Sequence, residues 1–207
     1  LEILNRFDKA AASWDSKPSS LAIAKACVEN IKIYINLKKN INILDYGCGT
    51  GLVAIALSYE ENTVLGMDYS QGMVDTFNEK INKLNYNNIK AIKHNINEDE
   101  LPKNSYDLIT TSMTLHHIED TNMFIEKCKL ALKNDGYLCI NDLDEEDGTF
   151  HSKHKNDGVF HFGFEKVALS KILINNGFKI IDYKIVHIDK RNDKEYPIFN
   201  IIAKAKS

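Results

Sequence analysis

No charge of one sign dominates this chain of 207 residues, whose formal net charge is −3. Such a balance does not steer a protein towards DNA, RNA or an anionic membrane. The four cysteines, Cys27, Cys48, Cys128 and Cys139, show no CxxC spacing. They read as reduced thiols in a cytoplasmic protein rather than as a disulfide frame or a zinc site. No apolar run approaches the ~20 residues that cross a bilayer. The opening stretch LEILNRFDKAAASWD carries charges where a signal peptide needs an apolar core. Internal repeats and low-complexity tails are missing too. The expectation is one domain over 1–207, long enough to bury a core.

What is present is an alternation. Short β-branched runs at 41–46, 63–67, 89–93, 106–111 and 137–142 are separated by helical patterns at 51–59, 71–84 and 121–133. That is the pattern of βαβ units around a parallel sheet. Ser70 and Asp120 stand as N-caps, and Asn134-Asp135-Gly136 as a helix stop. A further helix is expected over 164–176. Then the rhythm changes: 178–187 and 197–205 are two strands with no helix between them, only the charged turn IDKRNDKEY. Two such strands pair antiparallel. The fold class is therefore α/β, with a mostly parallel sheet and an antiparallel end. Residues 1–36 read as helical. The stretch 143–163, LDEEDGTFHSKHKNDGVFHFG, has no periodicity, and loops of that length in compact domains usually carry function.

ILDYGCGTG, residues 43–51, closes the first strand with glycines at 47, 49 and 51. Glycines there let backbone N–H groups approach a ligand, and the following helix adds unsatisfied donors. The dinucleotide fingerprint G-x-G-x-x-G requires a third glycine where this chain has Leu52, and no lysine completes a P-loop. Asp68, at the end of the second strand, has the position of a carboxylate that accepts both ribose hydroxyls. Loop and carboxylate together favour a nucleoside without a pyrophosphate.

At these residues the sequence resembles the class I S-adenosylmethionine-dependent methyltransferases. LDYGCGTG resembles their first motif, GMDYSQGMV their second, and HNINEDELPKNSYDLITTSMTLHHIED the stretch through the fourth strand. FDKAAASWD and FHFGFEKVALSKILINNGF resemble a small-molecule subgroup. The resemblance implies a Rossmann-like three-layer sandwich with a seven-stranded sheet and its last strand antiparallel. It also implies S-adenosylmethionine as cofactor. Asp45 and Gly47 would line its methionine end, with Cys48 between the glycines and Gly49 and Gly51 permitting close approach. Asp68 would hold the ribose, Tyr69 or Met73 would pack near the adenine, and Asn95 (often Asp in the family) with Ile96 would meet its amine edge. Thr111 would sit beside the methyl group. Residues 1–36 would form a lid and 143–163 a substrate-side loop.

Methyl transfer from a sulfonium is an in-line displacement that needs alignment and exclusion of water. A base is required only when the acceptor arrives protonated, and histidine suits that task. His116, His117 and His161 are the candidates, with Trp14, His116 and His161 expected against the acceptor and Phe7 sharing the lid role of Trp14. A metal held by His116, His117, His151, His154 and His161 is a further reading. His151 and His154, at i, i+3, have no associated cysteine and no clear carboxylate frame, so no metal site is expected. The place of the [DN]PP[YF] motif that accompanies methylation of nucleic-acid amines reads TTSMTL, so the acceptor is expected to be a small molecule. Two other functions compete with methyl transfer. One is a non-catalytic cofactor-binding or interaction module. The other, a nicotinamide-dependent oxidoreductase, is disfavoured by Leu52.

Overall fold

The computed structural model describes residues 2–151, 158–191 and 193–206. Its elements follow one another as α1 (Glu2–Ala10), a 3-10 segment (Ala11–Ser16), α2 (Pro18–Tyr34), β1 (Asn42–Tyr46), α3 (Leu52–Leu57), β2 (Thr63–Asp68) and α4 (Gln71–Lys83). Then come β3 (Ile89–Lys93), β4 (Tyr106–Ser112), a 3-10 turn (Leu115–His117), α5 (Thr121–Ala131), β5 (Leu132–Leu143), α6 (Lys166–Asn175), β6 (Phe178–Arg191) and β7 (Lys194–Ala205).

The helices start where the sequence offers caps. Pro18 opens α2 without a lost donor. The side chains of Ser70, Asp120 and Glu165 accept the first free N–H groups of α4, α5 and α6. The strands form one sheet in the order β3-β2-β1-β4-β5-β7-β6. β1 to β5 run parallel, while β7 lies antiparallel between β5 and β6. On one face α2, α3 and α4 bury Cys27, Ile31, Leu57 and Phe77. On the other, α5 and α6 bury Phe124, Cys128 and Leu173. The three-layer sandwich with an antiparallel last strand is the architecture the sequence led us to expect.

Two boundaries differ. The hairpin extends through most of IDKRNDKEY, leaving a turn around Asp193. Its charges alternate across the ladder, and Lys190 faces Glu195 at 2.8 Å, a pairing that favours extended strands over a loop. Asn134-Asp135-Gly136 does not end a helix. α5 stops at Ala131, and the tripeptide forms an irregularity inside β5, where Leu132 already pairs with Tyr106 and Asp135 takes a φ of +62°.

Sheet order places the candidate site. β1 and β4 are neighbours whose connections leave in opposite directions, so a crevice opens beyond their carboxyl ends. The glycine loop rises on one side of it and the 115–117 turn on the other.

Candidate active site

The loop after β1 is tied to β2, because the N–H groups of Gly47 and Cys48 both donate to the carbonyl of Met67, at 2.7 and 3.1 Å. Its glycines serve different ends. A side chain on Gly51 would strike the ring of Phe77, and one on Gly47 would strike Thr114. Those two exist for packing. Gly49, at φ +51°, meets nothing nearer than the Met73 sulfur at 4.0 Å, so its open side can receive a ligand.

Asp68 holds the same loop. Its Oδ2 accepts the Gly49 N–H at 2.8 Å and its Oδ1 the Ser70 N–H at 2.9 Å. Burial raises the pKa of this carboxyl, against the opposing pull of those two donors. Asp45 is buried at the end of β1 and accepts the Ala54 N–H of α3 at 3.0 Å. Burial pushes it up to about 8, with repulsion from Asp68 adding to the effect. Near the end of β4, Thr111 Oγ1 is buried without a hydrogen-bond partner, as is His94 Nε2 just after β3.

The N-terminal segment covers this edge through two carboxylates. Asp8 accepts from the Ser70 hydroxyl and from the Gly72 N–H at 2.8 Å, which holds its pKa down. Asp15 takes the Thr50 hydroxyl and the Lys80 ammonium. Phe7 lies edge-on to the His117 ring at 5.4 Å and next to Trp14. α2 behaves differently: Cys27 and Ile31 are fully buried in the core. Among the residues expected to form a lid, those before Lys17 are therefore the ones that lie over the site.

Across the crevice, His116 is buried and its Nδ1 stands 2.6 Å from Asp142 Oδ1. A carboxylate only accepts, so Nδ1 carries the proton and Nε2 is turned away from Asp142. Asp142, at the end of β5, is itself fully buried. Burial would raise its pKa, but the charge and hydrogen bond of His116 prevail and hold it low. His117 donates from Nδ1 to the Gly158 carbonyl at 2.6 Å. Burial and the neighbouring His116 push His117 down to about 3, so it stays neutral with a free Nε2. His151, arriving from the segment after β5, places its Nε2 3.2 Å from the Nε2 of His116.

The sequence matches the methyltransferase-domain family over residues 37–201. This chain belongs to the class I methyltransferases. An uncharacterized methyltransferase of Schizosaccharomyces pombe is 35% identical over 138 residues, 61% of this chain and 49% of that protein. A demethylmenaquinone methyltransferase of Listeria welshimeri is 30% identical over 141 residues, 65% of this chain and 59% of the relative. The chain thus spans between half and three fifths of these curated relatives. In fold it is similar to a SAM-dependent methyltransferase from Aquifex aeolicus, with a TM-score of 0.71 at 24% identity, over 95% of this chain and 97% of the other.

The remaining expected residues take varied places. Met73 is buried under the glycine loop and Tyr69 is exposed. Cys48 is buried against Gly66. All four cysteines are free and buried. Ile96 is in the core beside Tyr46 and Met67. The half-buried Asn95 accepts the Asn97 N–H on its side-chain oxygen at 3.1 Å, closing a turn. His161 is not part of the histidine group. Its Nε2 lies 3.0 Å from the Ile118 carbonyl, 3.1 Å from that of Glu119 and 3.3 Å from the Thr121 hydroxyl. There it fastens the loop to the start of α5, beside a separate cleft lined by Asn97, Thr121 and Ile172. His154 lies outside the described residues. Sequence reasoning missed Asp8, Asp15 and Asp142 as site residues, and it weighed His151 only as a metal ligand and set it aside. The one available signal was Asn141-Asp142, a polar pair closing an otherwise apolar strand.

Proposed function

We propose that this methyltransferase binds S-adenosylmethionine over the glycine loop and transfers its methyl group to a small acceptor lodged between the N-terminal segment and the histidines. The open flank of Gly49, bordered by the Asp68 carboxylate, carries this reading. The orphaned Thr111 hydroxyl fits it as well, because a buried polar atom without a partner fits a site that a polar ligand completes. S-adenosylmethionine supplies an electrophilic methyl on a sulfonium. The chain supplies the rest. Asp68 would hold the ribose hydroxyls, while Asp45 stiffens the turn from β1 into α3. Phe7 and Trp14 would exclude water from the crevice, and His116 and His117 would face the acceptor.

Residues 2–16 act as the lid in this reading, and the described residues 143–151 and 158–163 as the acceptor's wall. Phe160 donates its N–H to the His116 carbonyl at 2.9 Å, which fastens that wall to the histidines. The apolar Phe7, beside the His117 ring, and Trp14 next to Phe7 favour an acceptor with a ring. The Listeria relative and a ubiquinone biosynthesis O-methyltransferase of Rickettsia bellii, 29% identical over 150 residues, make hydroxylated aromatic rings the first acceptors to try. No helix among the described residues is long and apolar enough to cross a membrane. The place of action proposed is the cytoplasm.

Calorimetric titration with S-adenosylmethionine, S-adenosylhomocysteine and NAD tests the cofactor. Micromolar binding of both adenosyl ligands and none of NAD is expected; the reverse order sinks the reading. Release of S-adenosylhomocysteine against a panel of phenols and quinols then separates the enzyme from a non-catalytic binding module.

A further inference from the structure

We infer that His116, His117 and His151 form a binding site for one divalent transition metal ion, with Zn2+ as the ion of best fit. One ligand nitrogen from each of these three side chains lies within 4.8 Å of the others. The 3.2 Å between Nε2 of His116 and Nε2 of His151 is close to the edge of a coordination tetrahedron. Metal–nitrogen bonds of about 2.0–2.1 Å place neighbouring ligands about 3.3–3.4 Å apart.

The surroundings prepare the rings for that use. A metal-bound imidazole usually donates its other N–H to a carboxylate or carbonyl, which sets both tautomer and orientation. Here His116 donates from Nδ1 to the buried Asp142, and His117 from Nδ1 to the Gly158 carbonyl. Both rings therefore turn Nε2 away from those partners. Asp142 is held in turn by the N–H of Leu143 at 2.8 Å and that of His116 at 3.3 Å, and its charge would offset part of the ion's. Imidazole ligands without thiolates suit zinc, nickel or copper better than calcium or magnesium. Three protein ligands leave at least one coordination position for water or a substrate oxygen, as in catalytic rather than structural zinc sites.

The inference concerns the acceptor side of the proposed site and stands apart from cofactor binding, because it is tested with no adenosyl ligand present. The 207-residue chain, stripped with a chelator, is titrated with Zn2+ against a chromophoric competitor, and with Co2+ followed by its visible absorption. One equivalent bound at micromolar affinity or better, with a tetrahedral or five-coordinate Co2+ spectrum, is expected. His151→Ala should weaken binding more than about a hundredfold, and Asp142→Asn by about 10–100-fold. His187→Ala, on β6, should leave it unchanged. S-adenosylhomocysteine affinity and thermal unfolding of the metal-free variants report whether they are folded. If folded His151→Ala binds Zn2+ as well as the parent, or the parent binds no stoichiometric Zn2+, the three rings form an imidazole hydrogen-bond cluster only and the inference is overturned.

Discussion

At Asp68 one carboxylate holds the Gly49 and Ser70 amides and, in the proposed function, would also hold the ribose. Asp68→Ala should lower S-adenosylhomocysteine affinity at least tenfold by calorimetry. It should also cost about 1–3 kcal/mol in stability, since two amides lose their acceptor. Asp45 makes a prediction in pH. Its folded pKa of about 8 is far above the ordinary carboxyl value of 3.8. Between those values the folded chain holds a proton that the unfolded chain releases, so stability falls as pH rises through that window. Urea midpoints at pH 5 and pH 8 should differ more in the parent than in Asp45→Asn, whose amide oxygen still accepts the Ala54 N–H. An equal difference in both would assign the slope to other groups.

Helix α4 shows how an element joins core and site. Its buried face sends Phe77 under Gly51 and Gly66, where no β-carbon would fit beside the ring. Phe77→Ala should cost about 3–5 kcal/mol by denaturant unfolding. The opposite end of the same helix is where Asp8 clasps Ser70 and Gly72. Asp8→Ala leaves the sheet and its core untouched. Faster amide exchange at Gly72 and faster proteolysis within residues 2–16 are the expected signs of a loosened lid. Unchanged rates would place the hold on that segment elsewhere. The elements themselves were legible because each carries a local signal: a capping side chain, a β-branched run or a paired charge. The ends of β5 and of the hairpin were not. There cross-strand pairing outweighed turn-forming residues such as Asn134-Asp135-Gly136.

At the scale of the whole molecule, the helical layer is registered on the sheet by a buried polar contact. Asn30 of α2 donates to Asn200 of β7 at 2.9 Å and reaches Asp182 of β6 at 3.2 Å. Removing one partner strands the other in the core. Asn30→Ala should therefore lower stability by about 1–3 kcal/mol without altering affinity for S-adenosylhomocysteine. A midpoint equal to the parent's would show that Asn200 finds another donor.

The sequence by itself determined the α/β class, the glycine turn after β1, the carboxylate after β2 and the antiparallel hairpin. All of these are written in spacings of a few residues, which a helical turn or a strand converts directly into geometry. Only the tertiary structure decided which of the seven histidines meet. His116 reaches Asp142 across 26 positions and His151 across 35, and no local periodicity encodes such distances. The order of strands does so, by setting the carboxyl ends of β4 and β5 side by side. Sheet order also sent His161 to a different cleft, although it stands only ten residues after His151. Burial completed the choice, since a carboxylate as enclosed as Asp142 persists only where an imidazole and backbone amides converge on it.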